Sequence, residues 1–552
     1  MEATEPDPRR WLTLGILILT VVLIALDTSV LNVSIPTILR ELHTTVPTLQ
    51  WVITGYSLTF ATLLIIGGRL GDIYGHRRLF MIGASLFGVG SMMASVSHSV
   101  GTLILGEAVI EGIGAALMTP STLAILSTTF RGRERGTAFA AWGAAAGAAV
   151  AFGPVLGGFL TTNYSWRWSF RINVVVAPLA VLGAWLLVPK GTRSKRTPID
   201  LPGAGLIASG MFLLVFALSD GGTYGWWKPI NNFTVVGNEI WPTTRPISVV
   251  TVALLAGVAV LTAFVRFERG RERRRNNPLF EFSLMGDRSF RYGLLTLTIL
   301  AMGQLALLFA LPLFLQDAIH LSAQENGLWL LPFGLAVIVG AQVGGRLTRI
   351  VSPTVVVRAG LACETISLAV VIWAVRPDVT FLRLLPGLVL FGIGVGFASS
   401  QLTSVILSGV SADKSGVASG ATSTARQMGG AFGAAIIGSL ITVQTTNRAV
   451  SAIAGSGLAE AVRIKAVASI HAFGPNVTIG SGEDAASLHA IVTQALADAT
   501  RIALLFAMGV VFIGAMLSLL IPRTRPATPE GVPVVAEFEA FEPEDVDPAL
   551  LR

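Results

Sequence analysis

The chain has 552 residues, of which 53% are hydrophobic and 13% charged, with a mean hydropathy of +0.70. Soluble domains carry roughly a quarter of their residues as Asp, Glu, Lys and Arg, so the composition excludes an ordinary soluble enzyme. The net charge of +7 is explained by basic loops between apolar spans more simply than by nucleic-acid binding.

Apolar runs of about twenty residues, the length that crosses a bilayer, recur along the chain. They predict fourteen membrane helices, at 11–38, 49–70, 79–97, 101–128, 136–161, 169–189, 202–219, 247–265, 290–316, 324–345, 358–376, 381–404, 417–443 and 500–521. With the N-terminus inside, Arg77 and Arg78, Arg131 to Arg135, Lys190 to Arg196, Arg266 to Arg275 and Arg346 to Arg358 all fall inside, while the alternate loops hold few basic residues, such as Arg40, Arg167 and Arg376. That bias is what orients polytopic proteins. The expectation is an all-α, multi-pass protein of the plasma or inner membrane with both termini cytoplasmic. Arg9 and Arg10 precede the first span and no small-residue cleavage site follows, so the first helix is expected to stay. Two segments read as too polar to span: 220–246, with Asp220, Trp226 and Trp227, and 444–499, a long outside loop with weak helical character at 458–472. The tail 522–552, rich in Pro, Glu and Asp, is expected to be disordered.

Between the second and third spans runs Gly68-Arg69-Leu70-Gly71-Asp72-Ile73-Tyr74-Gly75-His76-Arg77-Arg78. Glycines permit close helix contact and a tight turn. Arg77 and Arg78 anchor the turn on one membrane face, and Asp72 is left at a helix end in need of a partner. This stretch resembles the cytoplasmic loop signature of the major facilitator superfamily, with His76 and Ile73 standing where basic residues are usual. Gly345-Arg346-Leu347 repeats its opening after the tenth span. The resemblance implies two six-helix halves, 11–189 and 290–521, joined by a linker, 190–289, with two inserted helices. It also implies that Gly68, Asp72, Gly75, Arg77 and Arg78 help to close an inward gate, Asp72 docking on the start of the thirteenth span.

Chemistry is expected where polar groups interrupt the spans. Asp27 lies about 24 Å along the first helix, inside the bilayer. A buried acid is costly and is usually kept for ion coupling or ligand charge; pairing with a neighbouring helix is the structural alternative. Its surroundings, from Leu26 to Pro36, resemble the first-helix signature of fourteen-span drug:proton antiporters. Glu107 and Glu111 are four residues apart and share a helix face. Two such carboxylates in low dielectric cannot both stay ionised, as a proton carrier near neutral pH requires. The family's fourth-helix motif has arginine where this chain has Ala108, so Glu107 and Glu111 are expected to replace the arginine-assisted proton step. Arg426 lies about 15 Å inside the thirteenth span and needs an acid, a carbonyl or a wet cavity. It heads a string, Arg426-Gln427-x-Gly429-Gly430-x-x-Gly433, that matches the family. Glu364 is a further buried acid without a motif. Gly147, Gly153, Pro154, Gly157 and Gly158 predict a kinked, closely packed helix, and their string resembles the exporter signature of this superfamily. Trp166 and Trp168 suit an interfacial belt.

Neither a nucleotide loop nor a nucleophile–base set is present, and the one cysteine and six scattered histidines show no ligand spacing, so no enzyme activity, metal or cofactor is expected. The reading is a monomeric, proton-coupled exporter of lipophilic, cationic or amphiphilic small molecules such as antibiotics, working in membrane lipid by alternating access around a midplane cavity. Three alternatives stay open: an exporter of an endogenous metabolite or lipid, a facilitator without proton coupling, and a non-transporting membrane sensor.

Overall fold

The computed structural model describes residues 9–130, 132–189, 200–235, 238–274, 278–348, 350–408, 410, 415–473 and 483–523. The expected tail and the basic segment 190–199 lie outside the described residues, as do the side chain of Asp72 and the surroundings of Gly147.

The described chain is almost wholly helical, because a backbone crossing hydrocarbon must satisfy its polar groups internally. The first half contains α1 (Arg10–Glu41), α2 (Val46–Tyr74), α3 (His76–Ser95), α4 (Val100–Thr129), α5 (Gly132–Asn163) and α6 (Arg167–Leu187). Then come α7 (Leu201–Tyr224) and α8 (Val249–Arg273). The second half holds α9 (Arg288–Ala318), α10 (Ala323–Leu347), α11 (Pro353–Ala374), α12 (Phe381–Leu407), α13 (Ser415–Ala454), the short α14 (Glu460–Phe473) and α15 (Glu483–Ser518). Twelve of these are long and apolar enough to cross a membrane; α2 and α5, with 29 and 32 residues, supply the length for fourteen crossings. Polar residues set the starts: Asp200 accepts from Gly203 N at 3.0 Å, Asp287 from Phe290 N at 2.8 Å, and Ser322 with Glu325 forms a capping box.

Three sequence expectations shift. Helix α7 runs through Asp220 to Tyr224, so the polar insert begins later than 220; the indole of Trp51 donates to Asp220 Oδ2 at 3.0 Å and satisfies the buried acid. Within the rest of that insert, Phe233–Val235 pairs antiparallel with Asn238–Trp241. The expected loop 444–499 is mostly helix: α13 continues to Ala454, α14 covers the weakly helical stretch, and α15 begins at Glu483 rather than at 500. Ala449, Ile453, Ala466, Ile470, Leu488 and Ala495 bury one another there, which supplies the apolar contact that hydropathy averaged over a window misses. Trp166 is not an interfacial anchor. It is fully buried, and its indole donates to Glu41 at 2.9 Å.

The glycine string of α5 explains how the halves meet. A Cβ on Gly153 would lie 2.3 Å from Ser29 Cβ, and one on Gly157 2.8 Å from Val30 Cα, so α5 lies backbone-close against α1. On its other side, a Cβ on Gly158 would meet Ala323 O at 2.3 Å, and one on Gly327 would meet Pro154 O at 2.2 Å, so α5 is equally close to α10. The second half repeats this. Gly429 and Gly433 of α13 press on the carbonyls of Thr298 and Met302 in α9, and α13 also packs along α2. Each half thus offers its fifth helix to the second helix of the other, as parallel repeats predict.

Candidate functional site

Let the end of the bundle where α1 starts be the near end and the opposite one the far end. The near-end hairpin between α2 and α3 turns at Gly75, whose φ of +95° is a conformation L side chains rarely adopt. Arg77 donates from its guanidinium to the Trp185 carbonyl at the end of α6, while Arg78 is exposed. The expected Asp72 contact with α13 lies outside the described residues.

The far end is shut between the halves. Arg40 reaches Asp317 at 3.2 Å, Asn163 donates to Gln324 Oε1 at 3.0 Å, and Gln324 N donates to Thr162 at 3.0 Å. Deeper in, Gln316 donates to the Val33 carbonyl at 2.8 Å, and Gln50 of α2 donates to the Ala434 carbonyl of α13. A cavity of about 20 Å³ lies beneath this seal, lined by Ser29, Asn32, Pro154, Leu308, Pro312 and Phe333. It is the size of one water rather than of a substrate.

Within the first half, the three acids singled out in the sequence come together. Asp27, Glu107 and Glu111 are 3%, 1% and 0% exposed, and one carboxylate oxygen of each lies within 4.8 Å of the others. Two like charges at that spacing repel by on the order of 3 kcal/mol at an effective dielectric of about 20. No arginine, lysine or histidine among the described residues acts on the cluster. It therefore has to be relieved by protons or by a cation brought in from outside.

Local structure holds the acids in place. Asn173 of α6 donates to Asp27 Oδ1 at 2.7 Å, and Ser91 of α3 donates to Glu111 Oε1 at 2.5 Å. Gly90 leaves room for Glu111: a Cβ there would sit 2.6 Å from Glu111 Cγ. Ala108, at the position where the family carries arginine, packs against Gly55, where a Cβ would approach it to 2.9 Å; a long side chain has no room there. The stretch Ile104–Glu111 is wound as a π-helix, a form that recurs at functional sites and that the four-residue spacing did not foretell. Tyr56 of α2, whose backbone carbonyl lies against Gly112 at the end of this stretch, carries a buried hydroxyl that has no hydrogen-bond partner.

Asn173, Ser91 and Tyr56 were missed in the sequence. Nothing local in the sequence marks any of the three. Arg426, grouped with the acids on the sequence, lies half-buried on α13 and makes no hydrogen bond or ion pair with them among the described residues. Glu364 is fully buried in the second half, away from the cluster, with a Cβ on Gly394 placed 2.7 Å from its Cγ.

Residues 17–434 match the family model described as Major Facilitator Superfamily. The chain is 30% identical to the "Tetracenomycin C resistance and export protein" of Streptomyces glaucescens, over 96% of this chain and 95% of that one. It is 32% identical to the "Puromycin resistance protein pur8" of Streptomyces alboniger, over 80% and 83% of the two chains. It is 31% identical to the "Probable actinorhodin transporter" of Streptomyces coelicolor, over 79% and 74%. Among solved structures, an inward-facing bacterial homologue of the human lysosomal transporter Spinster superposes with a TM-score of 0.60 at 16% identity, covering 94% of this chain and 100% of that one. A fold of two packed helical halves, the family model and the full-length relatives agree: this chain is a multi-pass membrane transporter, not an enzyme, and belongs to the Major Facilitator Superfamily.

Proposed function

We propose that this protein is a proton-coupled exporter of lipophilic, cationic or amphiphilic antibiotics or drugs. The observation that carries the reading is the buried cluster of Asp27, Glu107 and Glu111, three carboxylates within 4.8 Å of one another and without a resident counter-charge. Such a cluster takes up positive charge when it opens to one side and releases it at the other. A proton neutralises a carboxylate and removes its burial cost, so protons and a cationic substrate compete for the same groups. The relatives' names point to antibiotic efflux as the cargo class.

The excess of arginine at the near end assigns that end to the cytoplasm. The α2–α3 hairpin is the near-end gate, with Gly75 supplying the turn, Arg77 the anchor and Asp72 the latch on α13.

The test is efflux of a fluorescent lipophilic cation from cells expressing the protein. A protonophore is expected to stop efflux, and Asp27→Asn or Glu111→Gln to lower it about tenfold or more at unchanged membrane levels. Efflux that survives both the protonophore and the substitutions would refute coupling at this cluster.

A further inference from the structure

We propose that the Asp27–Glu107–Glu111 cluster binds one hard divalent inorganic cation, with the unpartnered Tyr56 hydroxyl beside it. The inference rests on the reading of this cluster as the place where positive charge is taken up, and names a second occupant besides the proton.

The geometry points there first. Asp27 and Glu111 each spend one oxygen on a protein donor, Asn173 at 2.7 Å and Ser91 at 2.5 Å. Their other oxygens, Asp27 Oδ2 and Glu111 Oε2, accept from no donor outside the cluster, and neither does Glu107 Oε2; the three carboxyls otherwise face only one another. Outer donors that fix one oxygen and leave the other free are how proteins orient metal ligands. The free hydroxyl of Tyr56 is an independent sign. Its side chain is 4% exposed, it has no hydrogen-bond partner, and the charges that act on it are those of the same three acids. A buried hydroxyl without a partner is costly, and a cation among these groups would satisfy it.

Ligand type and charge then select the ion. The carboxylate oxygens lie within 4.8 Å of one another, close enough for one ion to be shared among them. The ligands are all oxygen, which favours hard cations over zinc or copper. Three carboxylates carry three negative charges. A divalent ion leaves one, whereas a monovalent ion leaves two in a site with no arginine or lysine acting on it among the described residues. Because carboxylates ligate only when deprotonated, ion and proton displace each other.

The experiment is equilibrium binding of radioactive calcium to the full-length protein in lipid nanodiscs, at mildly alkaline and mildly acidic pH. The expected result is one saturable site that Mn²⁺ displaces and that weakens on acidification. Asp27→Asn or Glu111→Gln should weaken it about tenfold or more, and Ser91→Ala, which frees Glu111 to turn, about tenfold to a hundredfold. Glu364→Gln, a buried acid outside the cluster, should leave it unchanged. Size-exclusion profiles identify any variant that has not folded, and Ser91→Ala keeps every ligand in place. Absence of saturable binding to the folded wild type would overturn the proposal, as would binding that survives Asp27→Asn and Glu111→Gln. Proton-driven efflux by a protein that binds no calcium would remove this cation site and leave the export reading standing. Calcium binding without proton-driven efflux would do the reverse.

Discussion

Asp27, Glu107 and Glu111 were legible as residues because each breaks an apolar run, and a carboxylate in hydrocarbon is costly enough to need a reason. Their meeting in one pocket was not legible. It depends on how α1 and α4 pack, and on a π-wound turn that the spacing of Glu107 and Glu111 does not encode. Their supports are ordinary residues, Ser91, Asn173 and Tyr56, whose importance lies in position alone. The far end holds a second pair with no sequence signal. His320 and His489, 169 residues apart, place their Nε2 atoms 2.9 Å apart with stacked rings. Burial, then His489 and Arg40, hold His320 below its ordinary value. A histidine whose folded pKa is depressed contributes stability above the unfolded pKa, about 6.5, and that contribution is lost as pH falls through the folded value. Thermal unfolding of the purified protein should therefore show a loss between neutral and mildly acidic pH that His320→Asn reduces. An unchanged profile would place the acid sensitivity elsewhere.

At the scale of elements, hydropathy located the spans, but boundaries moved wherever a tertiary contact covered a polar residue. Helix α7 extends past Asp220 because Trp51 reaches it from α2, and α13 to α15 extend because they bury one another. Window hydropathy is blind to both. In α5, Gly153 and Gly157 pack against α1 and Gly158 against α10. Gly158 and Gly327 set the α5–α10 contact. Gly158→Leu should therefore wedge the far-end seal and abolish export while membrane levels stay normal. Gly345→Ala, at a glycine with open space around it, should leave export unchanged. Normal efflux by the Gly158 variant would show that this contact can loosen without consequence.

For the whole molecule, the three-residue repeat at Gly68 and Gly345 was a faint sign of two related halves. The packing makes the relation plain: α5 on α1 and α10, α13 on α9 and α2. Such an arrangement can rock about its centre, opening one end as the other shuts. The far-end seal offers a direct handle. Asn163→Cys with Gln324→Cys, in a chain whose lone Cys363 is replaced by serine, places two thiols where the side chains now hydrogen-bond at 3.0 Å. Oxidation should lock the far end and stop efflux, and reduction should restore it. Full efflux from the cross-linked protein would mean that this end does not open during transport.

Proton flux in proteoliposomes carrying an imposed pH gradient tests the central claim most directly. Adding a lipophilic cation on the side that exposes the α2–α3 hairpin should collapse the gradient faster in wild type than in Glu111→Gln, with substrate moving against the protons. Substrate movement at the wild-type rate without any accompanying proton flux would contradict the account.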